Sequence, residues 1–309
     1  MRLSILGGYL GAGKSTWLRH QLHVGLFERS HVIVNEAAEI PIDHLLLGKA
    51  GELTVLAGGC CCCTGADAFV KALRDLCNKQ SADTTNPLDH ILLETSGLAD
   101  PSAIAALLQS DPVLARRIAL AEIRVVVDAV HGASHLMQAS LSLKQIESAD
   151  ELVITKIDLV TNLALSQLVS TLRRINPVAL LIATNRGDTV VLDYDSSVEP
   201  LRLPEVMANN RPMTAERVDF GRDVSWAELS VWLSALLHVH GEDLVRVKGC
   251  IRTPAGRLLI QSVKRHVQSP EILPEEKNDV TNDNVLVFIG RGACAQTLSN
   301  SILRLQRES

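Results

Sequence analysis

A chain of 309 residues is long enough for one full-sized core and a second, smaller domain. Hydrophobic residues make up 47% but aromatics only 3%, so the cores must be built from Leu, Val, Ile and Ala, a mixture suited to buried parallel strands under helices. The net charge of −5, with no basic patch or tail, argues against nucleic-acid or membrane partners, and no apolar run approaches the roughly 20 residues of a membrane span.

The run Leu3-Ser4-Ile5-Leu6 predicts a strand and Trp17 to Leu22 an amphipathic helix. Between them, Gly8 to Ser15 fits G-x-x-x-x-G-K-S, a phosphate-binding loop in the strand-to-helix setting it requires. Gly8, Gly11 and Gly13 let the backbone close around an anion, so that successive N–H groups, with those of Ala12 and Thr16, point at phosphate oxygens. Lys14 would reach the outer phosphates, and the Ser15 hydroxyl would take one position on a Mg²⁺ ion. The alternative is a Gly-rich turn that binds nothing. The loop follows Met1 too closely to leave room for a removable secretory segment, so a cytoplasmic protein is expected.

His31 to Asn35 and Leu53 to Leu56 predict the next strands, separated by a polar, Pro-containing loop from Glu36 to Asp43. Then comes Gly58-Gly59-Cys60-Cys61-Cys62-Cys63-Thr64. Seven cysteines, four of them consecutive, do not make a disulfide ladder; adjacent thiols point to metal or redox chemistry. Three of these thiolates could ligate one soft or borderline ion such as Zn²⁺, from a loop, because the spacing is too tight for one face of a helix or strand. The alternative is small thiols packed under the sheet. Glu36, Glu39 or a partner protein could supply a fourth ligand.

Thr64 to Asn78 has helical spacing. Ile91-Leu92-Leu93-Glu94 reads as a buried strand ending in a carboxylate. Glu94 could orient or coordinate the Mg²⁺ water shell, and Gly97 could bring a backbone N–H to the terminal phosphate. Asp100-Pro101 starts a helix, with an acceptor at the cap and a preset φ behind it. Ile123 to Asp128, Leu152 to Thr155 and Val178 to Ala183 supply three more strands alternating with helices, which predicts an α/β domain with a mostly parallel sheet and helices on both faces.

At the end of one of these strands stands Thr155-Lys156-Ile157-Asp158. Asp158 could accept two hydrogen bonds from the N1–H and exocyclic amine of guanine while the Lys156 stem lies against the base; adenine lacks that donor pair. His131 and His135, at i and i+4, and His238 and His240 are weaker metal candidates, for which surface roles are the plainer reading. Cys77, Cys250 and Cys294 read as ordinary thiols.

Periodicity disappears from Tyr194 to Pro212. The expected organisation is therefore a nucleotide domain over 1–193, a linker over 194–212 and a smaller α+β domain over 213–309. In the latter, Met213 to Phe220 predicts a strand and Ser225 to Val239 a helix carrying Trp226 and Trp232. Leu244 to Arg252 and Arg257 to Val263 predict a hairpin, Val285 to Ile289 a strand and Ala295 to Leu305 a final helix, giving a four-stranded antiparallel sheet.

Gly8 to Ser15, Asn35-Glu36 with Glu39, Cys60 to Cys63 as Cys-X-Cys-Cys, Glu94 to Pro101 and Thr155 to Asp158 together make the chain resemble the CobW family of P-loop GTPases, relatives of the metallochaperones of hydrogenase and urease maturation. Ser225-Trp226 and His240 to Gly249 resemble that family's C-terminal domain. The resemblance implies a GTP-dependent metal chaperone, with zinc, or cobalt in some members, on Cys60, Cys62 and Cys63, and delivery to a client metalloprotein governed by GTP and GDP. Cys61 falls on the variable position, and a homodimer is compatible with this reading.

Ala37-Ala38 departs from the family's usual Phe-Gly, the His-rich tract of many members is missing, and so is an N-terminal cysteine-bearing docking motif. Thr155 is a tolerated variant of the usual Asn. The catalytic residues expected are Lys14 and Glu94, with slow turnover because no arginine finger is evident. Two alternatives stay open: a nucleotide-regulated docking protein or cobalt/iron assembly factor with redox-active or structural cysteines, and an ATPase of the same fold.

Overall fold

The structure, a computed structural model, describes residues 1–27, 30–35, 52–56, 60–62, 64–82, 88–203, 213–221, 225–241, 243–254, 256–273, 283–291 and 301. The chain divides into two compact units, Met1–Glu205 and Val206–Ser309.

The first unit is an eight-stranded sheet of β1 (Arg2–Gly8), β2 (Ser30–Asn35), β3 (Glu52–Leu56), β4 (His90–Glu94), β5 (Ala119–Asp128), β6 (Glu151–Thr155), β7 (Leu180–Asn185) and β8 (Asp188–Val190), in the order β3-β2-β4-β1-β5-β6-β7-β8. Every pairing is parallel except β7 with β8. The middle strands are apolar almost throughout, as strands covered on both sides must be.

Helix α1 (Lys14–His23) covers one face, where Trp17, Leu18 and Leu22 pack with Leu6, Val32, Val34, Leu92, Val126 and Val153. The helices α2 (Ala66–Ala82), α3 (Pro101–Ser110), α4 (Pro112–Arg117), α5 (Gly132–Gln138), α6 (Ser140–Ser148) and α7 (Asn162–Ile175) follow strands that step the opposite way along the sheet. Right-handed crossovers put them on the other face. The expected α/β class is what is found. No helix among the described residues is long and apolar enough to cross a membrane.

Local sequence explains the element ends. Asp100 caps α3, its side chain accepting from the Ser102 amide at 2.8 Å with Pro101 behind it, as expected. Asp111 does the same for α4, accepting from the Val113 and Leu114 amides, and also holds Arg74 at 2.7 Å. The β7–β8 hairpin was not foreseen: Arg186 and Gly187 both take positive φ, the geometry a tight two-residue turn needs.

The second unit contains α8 (Trp226–His240) and the strands β9 (Met213–Asp219), β10 (Leu244–Thr253), β11 (Gly256–Val263), β12 (His266–Val267), β13 (Glu271–Leu273) and β14 (Val285–Arg291). The antiparallel order is β12-β11-β10-β14-β9, with β13 also pairing β11. Among the described residues the sheet thus has six strands rather than four, because β12 and β13 are too short to show a period. Leu229, Leu233 and Leu237 of α8 pack with Val247, Ile260, Leu286 and Phe288 of the sheet. The expected helix from Ala295 to Leu305 lies outside the described residues apart from Ser301, which is helical.

Candidate nucleotide and metal site

The parallel strands of the first unit end along one edge, the place where open α/β sheets bind ligands. β1 delivers the phosphate loop there. Gly8 has φ +129° and lies so close to the Val126 carbonyl that a Cβ would collide with it, so only glycine fits. Gly11 and Gly13 also take positive φ, and Gly13 leads directly into α1. The Lys14 ammonium is folded onto the loop's own carbonyls, donating to Gly8 O at 3.0 Å and Tyr9 O at 3.2 Å. Those are neutral acceptors, which phosphate oxygens would outcompete.

Ser15, one residue into α1, donates from Oγ to Glu94 Oε1 at 2.6 Å. Glu94 ends β4 and is 2% exposed. A hydroxyl and a carboxylate touching in a partly buried setting form a hard-oxygen donor pair, the chemistry that suits Mg²⁺. Three residues on, Gly97 lies against the phosphate loop: a Cβ would collide with the backbone of Leu10.

Gln145 of α6, 1% exposed, donates to Ala99 O at 2.8 Å and to Gly97 O at 3.5 Å, clasping this segment from below. Sequence reasoning missed Gln145, because a single glutamine on an amphipathic helix carries no motif.

Thr155 and Lys156 meet the phosphate loop from β6. The Thr155 hydroxyl donates to Ala12 O at 2.8 Å, so the residue standing where the family usually has Asn ties the end of β6 to the loop. Lys156, at φ 57°, reaches Gly11 O at 2.9 Å and Asp128 Oδ2 at 2.6 Å. Asp128 is the second residue missed; its other oxygen accepts from the Val130 amide at 2.7 Å. Asp158 stands exposed on the short turn Ile157–Leu159 after β6.

A small cavity beside the loop is lined by Tyr9, Ala12, Asp128, His135, Ser142 and Gln145. The His135 ring lies 4.1 Å from that of Tyr9, and burial holds its pKa below the ordinary histidine value.

The cysteine segment begins four residues after the last residue of β3. Cys60 and Cys62 bring their Sγ atoms to 2.8 Å, while Cys61 is fully buried with its thiol pushed to high pKa by desolvation. Two half-buried thiols facing each other, with a buried thiol between them in sequence, are a donor pair that suits a soft cation. The Cys61 amide donates to Asn35 Oδ1 at 2.8 Å, fixing this turn to the end of β2.

Cys63, Glu36 and Glu39 lie outside the described residues. Among the described residues no three His, Cys, Asp or Glu side chains converge as a metal site. The rings of His131 and His135 are 6.1 Å apart, and His238 and His240 belong to the second unit.

Residues 2–183 match the CobW/HypB/UreG nucleotide-binding domain, and residues 189–306 match the cobalamin synthesis protein cobW C-terminal domain. The chain belongs to the CobW family. Among its CobW relatives, the zinc chaperone YjiA of Escherichia coli is 30% identical over 302 residues, covering 93% of each chain. The zinc chaperone CobW of Pseudomonas aeruginosa is 28% identical, covering 97% of this chain and 90% of its own. The crystal structure of Zn(II)-bound YjiA GTPase from E. coli shares the fold, with a TM-score of 0.61 at 24% identity over 99% of this chain and 98% of that one. Relatives of this CobW chain are thus zinc chaperones and GTPases.

Proposed function

We propose that this chain is a Mg²⁺-dependent GTPase of the cytoplasm that carries Zn²⁺ on Cys60, Cys62 and Cys63 and passes it to a client metalloprotein as the nucleotide changes from GTP to GDP. What supports the reading is the short path between two chemistries. Ser15 and Glu94 touch at 2.6 Å, β4 pairs with β2 at Glu94 and Val34, and the next residue, Asn35, holds the turn between Cys60 and Cys62.

Each residue has a physical role in this reading. The Gly8 to Thr16 backbone amides and Lys14 neutralise the phosphates, Ser15 and Glu94 hold Mg²⁺, and Gly97 turns its N–H toward the terminal phosphate. Mg²⁺, when bound, supplies a further positive charge against the charge that develops on the β/γ oxygens. Thr155, Lys156 and Asp158 frame guanine.

Hydrolysis is then mostly positioning, and turnover is slow. Zn²⁺ is cargo rather than catalyst, with Co²⁺ as the other candidate, and a fourth ligand comes from Glu36, Glu39 or the client.

The test is single-turnover GTP hydrolysis in Mg²⁺ buffer, with and without one equivalent of Zn²⁺, for wild type and a Cys60→Ala/Cys62→Ala variant. Zinc is expected to change the wild-type rate and leave the variant's unaltered. Equal rates in all four arms would remove the coupling and leave a guanine-nucleotide docking protein.

A further inference from the structure

We propose that Asn35 is the positioning residue through which the nucleotide state reaches the cysteine loop; this rests on the zinc-carrier reading above. The residue occupies a junction. It is the last residue of β2, 2% exposed, one step beyond Val34, which pairs with Glu94 on β4. On its other side it pairs with Leu56, the last residue of β3 before the cysteine segment. Its side-chain carbonyl accepts from the amide of Cys61 at 2.8 Å, and Cys61 is the residue between the two that bring their thiols together.

The fold gives this bond leverage. Cys60 and Cys62 flank a residue whose own thiol is buried, so the turn pivots about Cys61, and the orientation of its peptide sets where both sulfurs point. Glu94 is held to Ser15 by a direct hydrogen bond. A nucleotide with its cation requires both of those oxygens to face the ion, so the end of β4 must adjust, and of the two strands in register with it one is β1 and the other is the strand that ends in Asn35.

Because the coupling is an equilibrium property, it is reciprocal: whatever factor GTP imposes on zinc affinity, zinc imposes on GTP affinity. Asn35 lies outside both donor sets, so its removal is expected to cut the link and spare the ends.

The experiment is zinc competition against a chromophoric chelator, with saturating Mg²⁺ and either GDP or a non-hydrolysable GTP analogue, for wild type, Asn35→Ala and Asn35→Asp. Wild-type zinc affinities are expected to differ between the two nucleotides by about tenfold, within the usual range for coupled sites. Asn35→Ala should bring that ratio close to one, and Asn35→Asp, which keeps the acceptor, should retain most of it.

A second measurement needs no variant. Hydrogen exchange at the Cys61 amide of the wild-type protein should differ between the GDP and analogue complexes.

An Asn35→Ala protein that loses zinc affinity equally in both states, with the ratio intact, would assign Asn35 a purely structural role and overturn the proposal. So would equal exchange at Cys61 in both complexes. A wild-type ratio of one would instead sink the carrier reading itself, and this proposal with it.

Discussion

Ser15 Oγ donates to Glu94 Oε1 across 2.6 Å, joining the first turn of α1 to the end of β4. Residues 79 positions apart in the chain therefore share one partly buried pair of oxygens beside the phosphate loop. Replacing Glu94 with Gln keeps the shape and removes the charge. Hydrogen bonds to charged groups contribute about 1.5–3 kcal/mol, so Glu94→Gln should slow Mg²⁺-dependent GTP hydrolysis by about 10–100-fold. The Mg²⁺ concentration for half-maximal rate should rise with it. A variant with wild-type Mg²⁺ dependence would exclude Glu94 from the cation site.

The Lys156–Asp128 pair predicts how guanine is held. Asp128 is buried and fixes the ammonium at 2.6 Å while Lys156 also contacts Gly11 O. Asp128→Asn should weaken GDP binding by about fivefold to tenfold, the size of one charge-assisted contact. Asp158→Ala should instead erase the preference for GTP over ATP. Calorimetric titration with both nucleotides separates the two effects; an Asp158→Ala protein that still prefers GTP would move base recognition elsewhere.

Gln145 clasps the two carbonyls around the Gly97 segment, and Gln145→Met removes the donor at nearly constant volume. The segment faces the terminal phosphate in the proposed complex. The variant should therefore lose about tenfold in affinity for a GTP analogue, the worth of one buried hydrogen bond, while GDP affinity moves less than twofold. Equal losses for both nucleotides would show general loosening of the site.

Much of this was legible from residue order alone. Gly8 to Ser15, Glu94 to Gly97 and Thr155 to Asp158 each sit where an apolar strand ends, so pattern and chemistry pointed to the same edge. Asp128, Gln145 and the role of Asn35 were not legible, because each works by touching a group far away in sequence, the Lys156 ammonium for Asp128 and backbone groups for the other two, which no local spacing encodes. The same reason hid β12 and β13: strands of two and three residues have too few side chains to alternate.

A half-buried histidine sets a pH dependence. The His90 ring nitrogens each lie 2.8 Å from a serine hydroxyl, Ser4 and Ser30, and burial holds its pKa below the ordinary value of about 6.5. The unfolded chain takes up a proton near pH 6.5 that the folded chain refuses. Stability from this residue is thus complete above that pH and is lost as pH falls below it, by at most about 1.4 kcal/mol per unit, until the folded-state pKa is reached. Thermal unfolding from pH 7.5 to 5.5 should show a shallower acid slope for His90→Gln than for wild type. Identical slopes would place the acid sensitivity elsewhere, with His31 the next candidate, since burial lowers its pKa too.

The central claim is that two facing thiols and a phosphate cradle answer to one nucleotide. The most direct measurement uses Co²⁺ as a spectroscopic stand-in for zinc, following thiolate-to-cobalt absorption during titration of the protein with Mg²⁺ and GDP, then with Mg²⁺ and a GTP analogue. The claim predicts absorption that vanishes in Cys60→Ala/Cys62→Ala and a titration midpoint that shifts by about tenfold between the two nucleotides. The same midpoint in both, or absorption that survives loss of the two cysteines, would contradict it.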